Sequence, residues 1–204
     1  MLPPQSVVPV KTGHSAKLRL AHLLDVRCRN LLVVCLLRHV TSVLSQAGLR
    51  VSCVVSGPVP ELAGAQVSRQ RRPGLNQGIS ESLLLSGLPV LVVASDMPWM
   101  TVESVLRLGR EPGDAVIART RDEGTGALLL RRPLEPSFGP RSALAHAHSA
   151  RSAGLTSRVV DISGLDRDLD DEPSLRSAMA GAPAMTNPLV GELRRSLKSS
   201  MCSA

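Results

Sequence analysis

The sequence predicts a single α/β domain of three layers with a mostly parallel, mixed sheet, and three observations carry that prediction. Short apolar runs alternate with stretches of helical periodicity, the pattern of successive βαβ units. The run Leu88-Pro89-Val90-Leu91-Val92-Val93-Ala94-Ser95 is apolar up to its closing Ser95 rather than alternating, as a strand covered on both faces must be. The chain has 204 residues, 43% hydrophobic and 20% charged, enough for one sizeable core without disulfide support.

Taken in order, residues 6–10 read as a first strand and residues 11–17 as a polar loop opening a helical region from 18 to 47. Gly48 closes that region as a helix stop, and residues 49–55 return as a second strand. A short helix is expected at 59–63 and a short strand at 65–69, after which Pro73-Gly74-Leu75-Asn76 turns into a helix reaching residue 85. The buried strand at 88–95 follows, and Thr101 caps a helix to 108. Further strands are expected at 114–119, 127–131 and 157–161, with helices at 142–153 and 172–180. Residues 1–180 therefore form the domain, and residues 181–204, rich in Ser, Pro and Met, are expected to be a loosely docked tail.

Composition narrows the classes of function. Aromatic side chains make up 1% of the chain, Trp99 and Phe138 alone, so the core must be built from Leu, Val, Ile, Ala and Met. Platforms on which nucleic-acid bases stack are nearly excluded. The net charge of +7 comes from scattered arginines, with small clusters at Arg69, Arg71 and Arg72 and at Arg194, Arg195 and Lys198. That balance suits polyanionic small molecules as well as nucleic acid, and its plain alternative is a solvated basic surface. Cys28, Cys35, Cys53 and Cys202 form no C-x-x-C pair, and Cys28 and Cys35, seven apart, are expected to face the core. The five histidines are dispersed, His22 and His39 reading as ordinary helix residues. Residues 1–5 lack the pattern of a signal peptide and no apolar run reaches membrane-spanning length, so a cytoplasmic protein without a membrane partner is expected.

Four loops carry polar groups able to converge at the carboxyl ends of the strands. The first holds Lys11 and Lys17 around Gly13, offering backbone N–H groups and ammonium groups to phosphates, although it is not a Walker A sequence. The second delivers Asp96 to a strand end that Pro98 terminates, where the alternative is an aspartate capping a turn. The third, Gly124-Thr125-Gly126, allows close backbone approach to an anion, with the Thr hydroxyl as a donor. The fourth is Asp168-Leu169-Asp170-Asp171-Glu172. Alternation on an extended backbone puts Asp168 and Asp170 on one side, where both could face one cation, whereas Asp171 and Glu172 suit a helix N-terminus. Mg2+ takes oxygen ligands and bridges substrate phosphates, which would give separated carboxylates a common purpose. There is no Gly-x-Ser-x-Gly elbow and no Cys/His pairing for covalent catalysis.

The ordered set Pro9-Val10-Lys11, Ala16-Lys17-Leu18-Arg19-Leu20-Ala21, Gly74-Leu75-Asn76, Ser95-Asp96-Met97-Pro98, Gly124-Thr125-Gly126, Phe138-Gly139-Pro140-Arg141-Ser142 and residues 164–175 resembles the phosphoenolpyruvate/2-phospho-L-lactate guanylyltransferases of coenzyme F-420 biosynthesis. The resemblance implies a nucleotide-diphospho-sugar transferase-like fold that uses GTP and magnesium. It implies transfer of GMP to the phosphate of a three-carbon acid, with release of pyrophosphate. By the same resemblance Lys17 and Lys11 would meet the GTP phosphates, Lys17 and Asp96 being the catalytic pair, and Asn76 would help hold the nucleoside. Asp96, Asp168 and Asp170 would bind the metal, and Thr125, Gly139 and Ser142 would form the acceptor pocket. The partners are then GTP and a phosphorylated three-carbon acid, with no nucleic acid, and a homodimer is allowed.

The chain departs from the family pattern in three places. Gly126 runs directly into Ala127 where a further Thr is usual, Asp170 is followed by Asp171-Glu172 with Pro173 displaced by one, and Arg141 stands where relatives are often small or polar. Two other readings stay open. One is a molybdopterin-type or other nucleotidyltransferase of the same fold; the other is a non-catalytic basic protein that binds nucleic acid and would be indifferent to Asp96→Ala.

Overall fold

The computed structural model describes residues 2–60 and 62–186 together with Val190, Gly191, Leu193 and Arg195. Seven strands form one sheet: β1 (Gln5–Val10), β2 (Arg50–Val55), β3 (Ala65–Arg69), β4 (Val90–Val93), β5 (Ala115–Arg119), β6 (Thr125–Leu130) and β7 (Ser157–Val160), in the order β3-β2-β1-β4-β6-β5-β7. β6 runs antiparallel to β4 and β5, and the other pairings are parallel. The helices are α1 (Val26–Gln46), α2 (Leu75–Ser86), α3 (Val102–Arg110), α4 (Ser142–Ser152) and α5 (Glu172–Gly181).

The unbroken apolar character of β4 follows from its place at the centre of three layers. Leu91 and Val93 pack with Val33, Leu37 and Val40 of α1 and Val105 and Leu108 of α3. Val90 and Val92 point the other way, into a cluster with Ile79 of α2 and Ala143 and Ala150 of α4. Every residue of β4 is fully buried, so neither face has a place for a polar side chain. Helix starts are set locally: Thr101 and Ser104 form a capping box on α3, and Asp171 and Ser174 form another on α5. Gly48 takes φ 86° after α1, where Leu49 N–H donates to Leu44 C=O at 3.1 Å, the left-handed helix stop that the sequence predicts.

Four expectations are corrected. The helical region at 18–47 is two elements, a 3-10 turn at Leu18–Leu20 and then α1, because the Asp25 carboxylate accepts from Cys28 N–H at 2.7 Å and starts a new helix there. No helix forms at 59–63 among the described residues: Pro60 has no N–H and disfavours the helical region for Val59, and residues 58–60 are irregular. By length and composition α1 is long and apolar enough to cross a bilayer, contrary to the expectation that no run would be. Ten of its residues are buried in this domain, and one of them is Arg29, whose guanidinium donates to Ala16 C=O at 2.9 Å. Part of the segment expected to be loose is packed: Ala184 and Met185, in a 3-10 turn at Pro183–Thr186, are buried with Val190 and Leu193 against Leu32 and Leu36 of α1. The rest of that segment lies outside the described residues.

Candidate functional site

The carboxyl ends of β1 and β4 and the amino end of antiparallel β6 meet at one edge of the sheet, so three of the four polar loops converge by topology alone. They line a cavity of about 780 Å³ together with the acidic segment at 168–170. A recess of about 290 Å³, bordered by Lys11, Lys17, Asp96 and Asp170, adjoins it.

Lys17 organises one wall. It sits in the left-handed region at φ 46°, immediately before the 3-10 turn, and its side chain is 8% exposed. Its Nζ donates to Asp96 Oδ2 at 2.6 Å and to the carbonyl of Leu169, and lies 3.6 Å from Asp170 Oδ1. Leu169 N–H in turn donates to Asp96 C=O at 2.9 Å, with the Leu169 side chain fully buried as the anchor of the acidic segment. The strand-end carboxylate and the Asp-x-Asp segment are thus fastened together by both main chain and ammonium.

Asp168 and Asp170 both line the cavity, as alternation requires, but they have different neighbours. Asp170 Oδ2 is 3.1 Å from Arg19 Nη1, so this carboxylate lies between two cations. Asp168 is half-buried, and burial, with the charges of Asp96 and Asp122 nearby, pushes its carboxyl up to about 6 although Lys17 opposes the shift. Asp122 is a further carboxylate of the cavity that the sequence reading did not single out. Among the described residues no group of three or more His, Cys, Asp or Glu is arranged to hold a metal. Magnesium, however, is commonly held by one or two carboxylates with waters and substrate phosphates completing its shell. Asp96 and Asp168 both line the cavity and lie near enough for their charges to interact, so these carboxylates could offer oxygens to one such ion.

The opposite wall is built from β6, α4 and the loop before α4. Asn76 is not among the residues that line this cavity. Both ends of its amide hold the main chain of Phe138: Nδ2 donates to Phe138 C=O at 3.0 Å and Oδ1 accepts from Phe138 N–H at 2.8 Å. It thereby braces the loop carrying Gly139. Gly139 borders the cavity at φ 149° with nothing within 4 Å of where a Cβ would stand, which leaves its backbone approachable. Thr125 and Ser142 face the cavity from nearly buried positions, joined by a 2.9 Å hydrogen bond between their hydroxyls. Lys11 and the exposed Arg141 complete the rim. Ala127, where a further hydroxyl is usual, is fully buried in the apolar core.

His146 was not singled out in the sequence. It is 0% exposed, touches Thr125 Oγ1 and Ser137 N–H, and meets the Phe138 ring edge-on at 5.0 Å. A weak signal existed in its place one helical turn after Ser142, but nothing local distinguishes it from His148.

A family model described as guanylyl transferase CofC like matches residues 5–204. Among curated relatives, phosphoenolpyruvate guanylyltransferase of Sphaerobacter thermophilus is 35% identical over 193 residues, covering 87% of this chain and 93% of its own. The 2-phospho-L-lactate guanylyltransferase of Methanocella arvoryzae is 33% identical over 173 residues, covering 84% and 78%. The 3-phospho-D-glycerate guanylyltransferase of Phenylobacterium zucineum is 31% identical over 186 residues, covering 81% and 85%. Of solved structures, a Desulfovibrio desulfuricans protein described as a nucleotide-diphospho-sugar transferase superposes with a TM-score of 0.68 at 14% identity, covering 98% of this chain and 99% of that one. A nucleotidyl transferase from Methanothermobacter gives 0.60 at 16% identity, covering 90% and 98%. These likenesses establish the nucleotide-diphospho-sugar transferase-like fold.

Proposed function

The chain belongs to the CofC-like guanylyl transferase family and is a GTP-dependent nucleotidyltransferase, and we propose that its acceptor is phosphoenolpyruvate, in a step of coenzyme F-420 biosynthesis. The observation that carries the reading is what the cavity and its adjoining recess bring together: a lysine–aspartate pair bordering the recess, its aspartate also lining the cavity, and two hydroxyls beside an open glycine backbone in the cavity. An oxygen of the acceptor phosphate forms a bond to the α-phosphorus of GTP. The bond from that phosphorus to the bridging oxygen of the β-phosphate breaks, and pyrophosphate leaves with the electron pair.

The attacking oxygen is already anionic near neutral pH, so no side chain has to remove a proton. Lys17 would supply positive charge to the triphosphate, held in place by Asp96 and the Leu169 carbonyl. Asp96 and Asp168 would hold magnesium, which when bound neutralises phosphate charge as pyrophosphate departs. Asp170, between Lys17 and Arg19, would keep both cations at the rim. Thr125 and Ser142 would receive the acid, and Lys11 and Arg141 add a positive field around it. The acceptor named for the Sphaerobacter relative, aligned over 93% of its length, supports phosphoenolpyruvate.

The test is pyrophosphate release from GTP and magnesium with phosphoenolpyruvate, 2-phospho-L-lactate and 3-phospho-D-glycerate in turn, with mass spectrometry of the product. Fastest release with phosphoenolpyruvate, abolished by a chelator, is expected. Preference for either other acid would replace the proposed acceptor, and no release with any of them would end the reading.

A further inference from the structure

Nothing in the proposed reaction uses His146, yet its surroundings fix more about the acceptor wall than the hydroxyls do alone. A main-chain N–H can only donate, so the 2.9 Å contact from Ser137 N to His146 Nε2 requires a lone pair on that nitrogen. The ring is wholly buried, and burial holds its pKa down to about 4, against the opposing Ser142 backbone contact. Its one proton is therefore on Nδ1, which lies 3.0 Å from Thr125 Oγ1. The imidazole donates and the threonine hydroxyl accepts. Ser142 Oγ shares a 2.9 Å hydrogen bond with the same oxygen, and because both groups are hydroxyls either can be its donor.

One hydroxyl proton of the pair is used between them, and the other has no protein acceptor among the described residues. Thr125 and Ser142 line the cavity, and that is where the proton is left to point. We propose that His146 is a positioning residue that, by donating to Thr125 Oγ1, leaves the Thr125–Ser142 hydroxyl pair with a proton to give into the cavity, favouring an acceptor with an anionic oxygen, carboxylate or phosphate, at that spot. A pair with a proton to spare favours an anionic oxygen over a group that can only donate, since the donor would leave that proton unpaired. Ser137 belongs to the loop that carries Gly139, and Asn76 holds the next residue, Phe138, from both sides. The loop that shapes the acceptor wall thus also sets the tautomer of His146. The assignment of the anion to the reaction's acceptor rests on the function proposed above; the hydrogen-bond order does not.

Two measurements test it. Long-range proton–nitrogen correlation NMR of the 15N-labelled wild-type protein reads the tautomer directly, and the Nδ1–H form of His146 is expected from pH 6 to 8. The Nε2–H form would overturn the proposal whether or not the protein turns over any acid. Kinetics then tests the coupling. Thr125→Val and His146→Gln are each expected to raise the acceptor KM by about ten-fold while the GTP KM stays within two-fold, and the double variant should be no worse than Thr125→Val alone. His146→Asn, whose amide N–H falls near the position of Nδ1–H, should recover much of the loss. Additive effects, or a GTP KM that moves with the acceptor KM, would reduce His146 to a packing residue. If no acid is turned over by wild type, the function reading fails, and the tautomer measurement alone decides this proposal.

Discussion

Lys17 Nζ lies 2.6 Å from Asp96 Oδ2, tying the loop after β1 to the end of the central strand β4 across 79 residues of sequence. With the lysine side chain 8% exposed and the aspartate 25%, the contact is largely shielded from water, so removing one partner strands the other's charge. Asp96→Asn and Lys17→Met are each expected to lower kcat by at least about 100-fold, since each removes charge from the site where pyrophosphate would depart. Each should also cost roughly 2 kcal/mol of stability, and the double variant less than the sum of the two. Pyrophosphate release and urea denaturation measure both effects; near-normal turnover in Asp96→Asn would sink the proposed chemistry.

Stability should rise with pH between about 4 and 6.5 through His146. Its folded pKa is held at about 4 by burial, below the unfolded value of 6.5. In that window the unfolded chain binds the extra proton and the folded protein does not, so acidification favours unfolding. The contribution is fully present above pH 6.5, is lost as pH falls toward 4, and levels off below. Its full span is on the order of 3 kcal/mol. Half-buried His39, which donates to Met100 C=O, is shifted in the same direction and adds to the slope. Asp168, raised from the ordinary carboxylate value to about 6, opposes it between about pH 4 and 6, so the His146 part is read as the difference from a variant. Urea midpoints of wild type and His146→Asn at pH 5 and 7.5 should show a smaller difference for the variant; an unchanged difference would mean that His146 is protonated when folded.

What was legible in the sequence was local. The strand at Ala65–Arg69, the Thr101 cap and the Gly48 stop are each set by a few adjacent residues, and the structure has them where the pattern puts them. The break before α1 was also written locally, in Asp25, but apolar periodicity on both sides concealed it. The candidate site divides the same way. Strand ends and the alternation of Asp168 and Asp170 bring the expected carboxylates and hydroxyls to one cavity. Asn76 and His146 were beyond reach because their roles lie in contacts across 62 and 21 residues, which depend on how β6 and the loop before α4 come together. An amide that clamps a loop and one that binds a nucleoside are the same letter in a sequence.

Arg141 is held at φ 54°, a conformation that costs a residue with a Cβ roughly 1–2 kcal/mol. Glycine removes that strain but loosens the unfolded chain by about 0.4–1 kcal/mol. Arg141→Gly should therefore be more stable by about 0.5–1 kcal/mol in urea. The same change removes an exposed cation from the cavity rim, so the acceptor KM should rise, most clearly at low salt. A variant that gains stability with an unaltered acceptor KM would show that the guanidinium does not act on the acceptor.

Gly126 should tolerate no side chain. A Cβ there would stand 2.2 Å from the carbonyl oxygen of Leu165 and 2.3 Å from Met97 Cε. The methionine end can move, but Leu165 is fixed by its own buried side chain, so the carbonyl cannot retreat without dragging the start of the acidic segment. Gly126 C=O also accepts from Ala94 N–H at 2.9 Å, so displacing β6 at this point loosens the β4 end that presents Asp96. Gly126→Ala is expected to destabilise the fold by about 3 kcal/mol, by overpacking against main chain. Activity should fall further than that of Gly181→Ala, a helical position with nothing within 4 Å of its Cβ site. Melting curves of the two variants make the comparison, and equal stability would mean that Leu165 and β6 are not held at this separation in solution.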